Sequence, residues 1–267
     1  MNTSKANTNR KSAPKKGAIV KLTVESTAFK GKGVAHYDGM AVFIPGTAPG
    51  DIIRARIIKR KKSFCEAKLI EVLEPADIRQ QPTCQHAFEC GGCTWQHIPY
   101  AYQTKIKQKQ VQDHMQRIGR FKELTVRKTV PADQTFYYRN KMEYSFGTHR
   151  WLSAEEVLSD EYVSDEGTWA GLHAPGRFDK ILNLKECHLQ HPVSYKILDF
   201  IRRYAHQHKI KAYDTFNHTG YLRNLMIRNA CYTDDLMVNL VTRDDDEQIM
   251  QSITDALLAE FPQITTI

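Results

Sequence analysis

Three cysteines within ten residues, Cys84, Cys90 and Cys93 in the run CQHAFECGGC, constrain this chain more than any other feature. The C-x5-C-x2-C spacing puts three thiols on one short loop, and Gly91 and Gly92 leave its backbone free to wrap around whatever the thiols hold. A fourth candidate, Cys187 in KECHLQHP, lies 94 positions beyond Cys93, so only folding can deliver it. Sets of four cysteines hold either an iron–sulfur cluster or zinc. Zinc favours paired C-x2–4-C hooks, and here only Cys90–Cys93 forms one. One wrapping loop plus a distant arm suits the corners of a [4Fe–4S] cube, with zinc or unligated thiols as the alternatives. Cys187 discriminates further. A fourth protein ligand closes the cluster, whereas radical enzymes leave one iron open to S-adenosylmethionine. Cys65 in an expected strand and Cys231 at a strand end are expected to be buried and structural. His86, His97, His188 and His191 flank the cysteines and are expected mainly at the surface or in support, ligation by His86 or His188 being a lesser alternative.

Six cysteines in 267 residues are too few for a disulfide scaffold, and their clustering favours metal in a reducing compartment. No apolar run approaches the roughly 18 residues of a membrane helix, and the first 16 residues lack the apolar stretch of a signal peptide. A cytoplasmic, monomeric protein with no membrane partner is expected. The net charge of +8 is unevenly placed. Residues 1–75 carry 15 Lys/Arg against 6 Asp/Glu, and the remainder carries 23 against 24. Such asymmetry fits a nucleic-acid-binding module joined to a near-neutral body, or else a solubilising tail.

The pattern along the chain implies an α+β multidomain protein. Residues 1–16, rich in Asn, Ser, Thr and Lys, read as a disordered basic arm. Residues 17–75 alternate or run apolar between Gly/Pro/Asp turns, which predicts five short strands in a small OB-like barrel. Residues 76–120 form the cysteine loop and a helix opening near Pro99 and closing at Gly119, with Tyr102, Ile106, Val111, Met115 and Ile118 on a partly apolar face. Residues 121–267 form an α+β domain with a mostly antiparallel sheet. Its expected strands lie in TVRKTV, YYRNKMEYSFG, GTWAGLHA, LMIRNACY and DLMVNLVT, and its helices over Pro192–His208 and Asp245–Glu260. The last residues, ITTI, read as the opening of a strand, which suggests a longer natural protein.

Two cationic sets could meet RNA. Arg54 and Arg56 share a strand face by the period of two, and Lys59, Arg60, Lys61 and Lys62 follow as a cationic turn suited to phosphate. Tyr138, Arg139 and Lys141, with Tyr137, combine ring faces with cations as base stacking requires. The alternative for the first set is a solvated hairpin tip, and for the second the outer face of a strand.

The segment QPTCQHAFECGGCTWQH, followed by a Gln/Lys-rich helix and FYYRNKMEYSF, resembles the bacterial (uracil-5-)-methyltransferases of 23S rRNA. The segment GVAHYDGMAVFIPGTAPGD resembles their TRAM domain, an OB-like RNA-binding barrel. This resemblance runs from about Gly17 to the chain's end. It implies that Cys84, Cys90, Cys93 and Cys187 hold a [4Fe–4S] cluster in a domain gripping 23S rRNA, and that the Tyr-Arg segment lies near the target nucleotide. It also implies S-adenosyl-L-methionine as methyl donor, bound with the catalytic cysteine in a C-terminal Rossmann-like domain. No residue here matches that domain's Gly-rich turn, its Asn-Pro-Pro-Arg segment or its catalytic cysteine. The expectation is therefore an RNA-binding part of an S-adenosyl-L-methionine-dependent enzyme, with no catalytic or methyl-donor residue and no activity alone. A zinc-stabilised RNA-binding module and an electron-transfer iron–sulfur protein are the rivals.

Overall fold

A computed structural model describes residues 14–267. Most of the expected basic arm, residues 1–13, lies outside the described residues. Residues 14–16 already belong to the fold: Pro14 is buried, and Ala18 N–H donates to the Lys15 carbonyl at 3.1 Å. The chain divides into two compact units. The first comprises the chain up to Pro82 together with Thr94–Pro131, and the second Thr83–Cys93 with Ala132–Ile267. The segment 76–120 expected as one piece is thus divided, the cysteine loop going to the second unit and the helix to the first.

The first unit has six strands rather than five: β1 (Ile19–Thr23), β2 (Ser26–Thr27), β3 (Gly33–Tyr37), β4 (Met40–Ile44), β5 (Ile52–Arg60) and β6 (Phe64–Glu74). They hydrogen-bond in the order β1-β5-β6-β4-β3-β2, antiparallel throughout except for the β4–β6 pair. The two outermost strands, β1 and β2, are separated in sequence only by Val24 and Glu25. Val24 N–H donates to Asp51 O at 2.9 Å and Glu25 N–H to Val34 O at 2.8 Å, so one continuous stretch serves both edges of the sheet. Alternation along β1 and β5 turns Val20, Leu22, Ile53, Ala55 and Ile57 into the interior. Cys65 joins them fully buried, as expected of a structural thiol.

Helix α1 (Tyr100–Arg117) forms where the sequence predicts it, but buries none of its residues. Glutamine amides hold it instead of an apolar face. Gln103 Nε2 donates to Ile98 O at 2.8 Å, Gln110 Nε2 to Ala28 O at 3.0 Å, and Gln108 Nε2 to Val126 O at 3.0 Å. Val126 N–H in turn donates to Gln112 Oε1 at 2.6 Å. These bonds explain why TVRKTV is not the expected strand: its backbone groups satisfy side chains of α1 rather than a neighbouring strand.

The second unit contains β7 (Lys141–His149), α2 (Ala154–Leu158), β8 (Glu166–His173), β9 (Ile181–Asn183), α3 (Pro192–Gln207), β10 (Leu222–Asn229), β11 (Leu236–Thr242) and α4 (Glu247–Glu260). Its sheet is antiparallel in the order β11-β10-β7-β8-β9. Met142, Tyr144 and Phe146 of β7 share one buried core with Ile197, Leu198 and Ile201 of α3 and Ile253 and Leu257 of α4. Proline fills the first turn of α3, and Asp246 caps α4 by accepting from Ile249 N–H at 3.0 Å. Strand β7 begins at Lys141, later than YYRNKMEYSFG suggested. Residues 137–139 bond instead to the segment after Cys187, with Tyr137 N–H donating to His188 O at 2.7 Å and Arg139 N–H to Leu189 O at 2.8 Å. Near the end of the chain, Val238 N–H donates to Thr266 O at 2.9 Å, pairing the ITTI residues with β11. No helix of the described residues is long and apolar enough to cross a membrane.

Candidate metal centre and RNA-facing residues

The second unit brings the short cysteine loop to the segment carrying Cys187 through bonds on either side of the thiols. Gln85 N–H donates to Glu186 Oε1 at 3.0 Å, and Lys185 N–H donates to His86 Nε2 at 2.9 Å. Cys84 and Cys90 both feel neighbouring sulfurs electrostatically. Burial pushes the Cys84 thiol up to about 11, and the nearby Glu186, Cys90 and Cys93 push the same way against a backbone N–H of His86. Burial likewise raises Cys90, helped by Cys93 and Cys187, while the Gly92 N–H and Arg139 pull it down. Thiols so placed deprotonate when a cation replaces their protons, so loading a metal would release protons. Gly92 serves close approach rather than an unusual dihedral, whereas a Cβ on Gly91 would meet only Pro175, at an ordinary 3.6 Å. Gly92 N–H reaches Cys90 Sγ at 3.3 Å, and a Cβ on Gly92 would stand 3.3 Å from that sulfur.

Two arrangements of donors overlap here. Among the described residues, the group whose ligand atoms all lie within 4.8 Å of one another is Cys84, Glu186 and His188, not the four thiols. Tyr137 Oη is 2.8 Å from His188 Nδ1, an arrangement that leaves Nε2 of His188 toward Glu186 Oε1, 3.3 Å away. His86 is buried with Nε2 already accepting from Lys185, so it positions the loop and has no lone pair to spare for a metal. The Tyr144 hydroxyl, fully buried beside Cys187, has no hydrogen-bond partner among the described residues. Burial and the Cys187 charge both raise its pKa, so it remains a donor awaiting an acceptor. Sequence inspection named His86 only as a flanking residue with ligation as a lesser alternative, and missed Tyr144 and Glu186, because each acts across a long sequence separation. Cys231 is corrected too: it is exposed, its thiol donating to Asn140 Oδ1 at 2.9 Å.

The cationic candidates fall in different settings. Arg54 and Arg56 do share the exposed face of β5, yet Arg54 Nε is paired with Glu71 Oε1 at 2.8 Å. Lys59 and Arg60 end β5, and Lys61 and Lys62 make the exposed turn into β6. In the second unit Tyr138 and Arg139 are exposed, and Lys141 Nζ lies 3.7 Å from Glu143 Oε2. Arg139 lies close enough to the cysteine loop for its charge to lower the Cys90 thiol's pKa.

The first unit also hides a polar knot behind its sheet. Asp51, fully buried, accepts from Ala48 N–H, Ala76 N–H and Arg79 Nη2 at 2.7, 2.9 and 2.7 Å. Burial alone would raise its carboxyl, but those donors outweigh it and hold the pKa below the ordinary value. His97, also buried, is driven down by burial despite a hydrogen bond with the Thr47 backbone. Trp95 closes the same unit: its Nε1–H donates to Gly31 O at 3.1 Å. Gly31 has φ of 89°, and a Cβ there would meet the Trp95 Nε1 at 2.7 Å.

A TRAM domain model matches residues 14–70. A Porphyromonas gingivalis protein named uncharacterized RNA methyltransferase is 37% identical over 250 residues, covering 92% of this chain and 54% of the relative. A Chlorobaculum tepidum protein of the same description is 38% identical over 251 residues, covering 93% and 52%. The chain spans about half the length of the curated relatives it matches. Among solved structures, the tRNA (uracil-54, C5)-methyltransferase of Pyrococcus abyssi in complex with S-adenosyl-L-homocysteine shares the fold. It has a TM-score of 0.62 at 21% identity, over 87% of this chain and 48% of that one. A TRAM domain match over residues 14–70 and similarity along 92% of its length relate this chain to bacterial proteins named as RNA methyltransferases.

Proposed function

We propose that this chain is the RNA-gripping part of an S-adenosyl-L-methionine-dependent RNA methyltransferase that acts on uracil C5, with 23S rRNA as substrate. The first unit is an OB-like TRAM barrel that meets phosphate through Arg56 and the Lys59, Arg60, Lys61 and Lys62 turn, with Arg54 in support. In the second unit Tyr138, Arg139 and Lys141 contact the nucleotide strand. Cys84, Cys90, Cys93 and Cys187 hold a closed [4Fe–4S] cluster that fixes the loop, a structural role without a free iron. The protein works as a cytoplasmic monomer, and S-adenosyl-L-methionine serves the full-length enzyme.

The observation that carries this reading is that Cys90 lies within electrostatic reach of both its loop neighbour Cys93 and the distant Cys187, and Cys84 within reach of Cys90 and Cys93. The donor set fits the cluster on two counts. Zinc–sulfur bonds of about 2.3 Å set tetrahedral sulfurs about 3.8 Å apart, whereas these four thiols do not all lie within 4.8 Å of one another. The orphaned Tyr144 hydroxyl beside Cys187 also matches a site whose sulfurs accept hydrogen bonds. When bound, the cluster would supply rigidity and an acceptor surface to the loop.

A second reading has its own observation: Cys84, Glu186 and His188 converge tightly enough for a single zinc ion. Iron and acid-labile sulfide analysis of anaerobically purified protein decides between them. Stoichiometric iron and sulfide, lost in C187A, is the expected result. Zinc without iron, retained in C187A, would sink the cluster. Binding to a 23S rRNA stem-loop should weaken steeply with salt.

A further inference from the structure

The second unit contains a cavity that the RNA reading above has not used. It measures about 140 Å³, near the ~150 Å³ of a cavity that accepts one benzene ring. Its floor is the face of the sheet bearing Ser145 and Gly147, which alternate with the core-facing Tyr144 and Phe146. Asn224 of β10 reaches across that floor, its Nδ2 donating to Ser145 Oγ at 3.3 Å.

Two loops wall the cavity, and each presents a phenylalanine to water. Phe178, between β8 and β9, is 70% exposed, and Phe216, before β10, is 67% exposed. Their ring centroids are 6.0 Å apart with the planes inclined at 46°. Singly exposed apolar residues are ordinary on a surface, but two facing rings at one cavity mouth form a patch. Both loops are braced by their own residues. Arg177 forks onto Asp179 at 2.8 and 2.6 Å. Asp214 accepts from the N–H groups of Phe216 and Asn217 at 2.8 and 3.1 Å, and from Asn217 Nδ2 at 2.8 Å. The rings are therefore held in place before any ligand arrives. On the third side the Arg223 guanidinium lies 4.6 Å over the Tyr213 ring, extending the aromatic wall with a cation.

We propose that this cavity is a subsite for one unpaired RNA base, a reading that rests on the RNA-binding function proposed above. The base slots against Phe178 and Phe216, its hydrogen-bonding edge meets Ser145 and Asn224, and Arg223 faces the adjoining phosphate. Flat hydrophobic walls with a polar floor and a flanking cation are what a splayed-out base requires.

The test compares two probes on the full chain, a labelled single-stranded oligouridine and a ribose-phosphate oligomer of the same length lacking bases. Replacing both rings (F178A with F216A) should weaken oligouridine binding about tenfold or more, given the usual energy of a stacked base, and leave the abasic oligomer unaffected. The aromatic replacement (F178W with F216W) should retain affinity, and its indole emission should be quenched by oligouridine but not by the abasic oligomer. Undiminished oligouridine affinity in the alanine variant, or equal weakening on both probes, overturns the subsite while leaving RNA binding intact. Failure of the parent chain to bind either probe at low salt overturns the RNA-binding function itself, and the subsite with it.

Discussion

The imidazole Nε2 of His86 accepts from the backbone N–H of Lys185 at 2.9 Å, joining a residue two places from Cys84 to one two places from Cys187. The bond acts on geometry rather than on a metal. Replacing His86 with alanine leaves a part-buried N–H without its acceptor, a loss of about 1–3 kcal/mol. The expected outcome is a lower unfolding temperature and poorer retention of metal after gel filtration, with the four cysteines intact. Unchanged metal retention in H86A would show that the loop needs no such tie.

Tyr144 gives a prediction of opposite sign. Its buried hydroxyl has no partner among the described residues, so Y144F should leave the metal-free protein as stable as before, or more stable by about 1 kcal/mol. In cluster-loaded protein the same change should lower the reduction potential, since hydrogen bonds to cluster sulfurs stabilise the reduced state. Protein-film voltammetry of both forms checks this, and an unaltered potential would separate Tyr144 from the cluster.

Acid should weaken the first unit in two stages. Burial keeps His97 below its ordinary pKa, so beneath about pH 6.5 the unfolded chain takes a proton that the folded unit resists. Stability therefore falls as the pH drops through that value. The depressed Asp51 carboxyl contributes stability that is complete above about pH 4 and is lost as pH falls further, through its folded value. Denaturant titrations at stepped pH should show both declines. H97Q should abolish the first, and D51N the second, at the cost of about 3 kcal/mol at neutral pH from a broken buried pair with Arg79.

The cations of the first unit should contribute unequally to RNA affinity. Arg54 is engaged by Glu71, whereas Lys59, Arg60, Lys61 and Lys62 stand at the exposed end of the hairpin. Neutralising the four together should reduce the slope of log affinity against log salt by about 0.7 for each single-strand phosphate that the turn no longer neutralises. R54A should change it little. An unchanged slope in the quadruple variant would remove this turn from the interface.

At Gly31, alanine should destabilise the first unit by well over about 1 kcal/mol. The position combines a left-handed φ with a Trp95 indole too near for any Cβ. Thermal unfolding followed by tryptophan fluorescence reads the loss, and W95F should relieve part of it in the double variant.

Much of the architecture was legible because it depends on local pattern. Alternation placed β5 and its cationic face, Pro99 and Gly119 bracketed α1, and the expected helix over Asp245–Glu260 matches α4 to within two residues. Expectation and structure part where side chains replaced the expected partners. The glutamines of α1 hold the backbone of residues 124–126, and the 188–189 backbone holds residues 137–139, so neither stretch becomes a strand. No periodicity reports such bonds. The expected apolar face of α1 failed for the same reason.

The order of residues by itself determined that three thiols would share a loop, that the basic charge would gather on one small β module, and that helices would cover an antiparallel sheet. Periodicity, turn chemistry and spacing are properties of neighbours along the chain. Only tertiary structure decided that Cys187 would join the loop, that His86 would brace it while the Tyr144 hydroxyl lay beside Cys187 with no partner among the described residues, and that Phe178 and Phe216 would confront each other. Those relations connect residues tens of positions apart, and their energies come from burial and hydrogen bonding that exist only after the chain has folded.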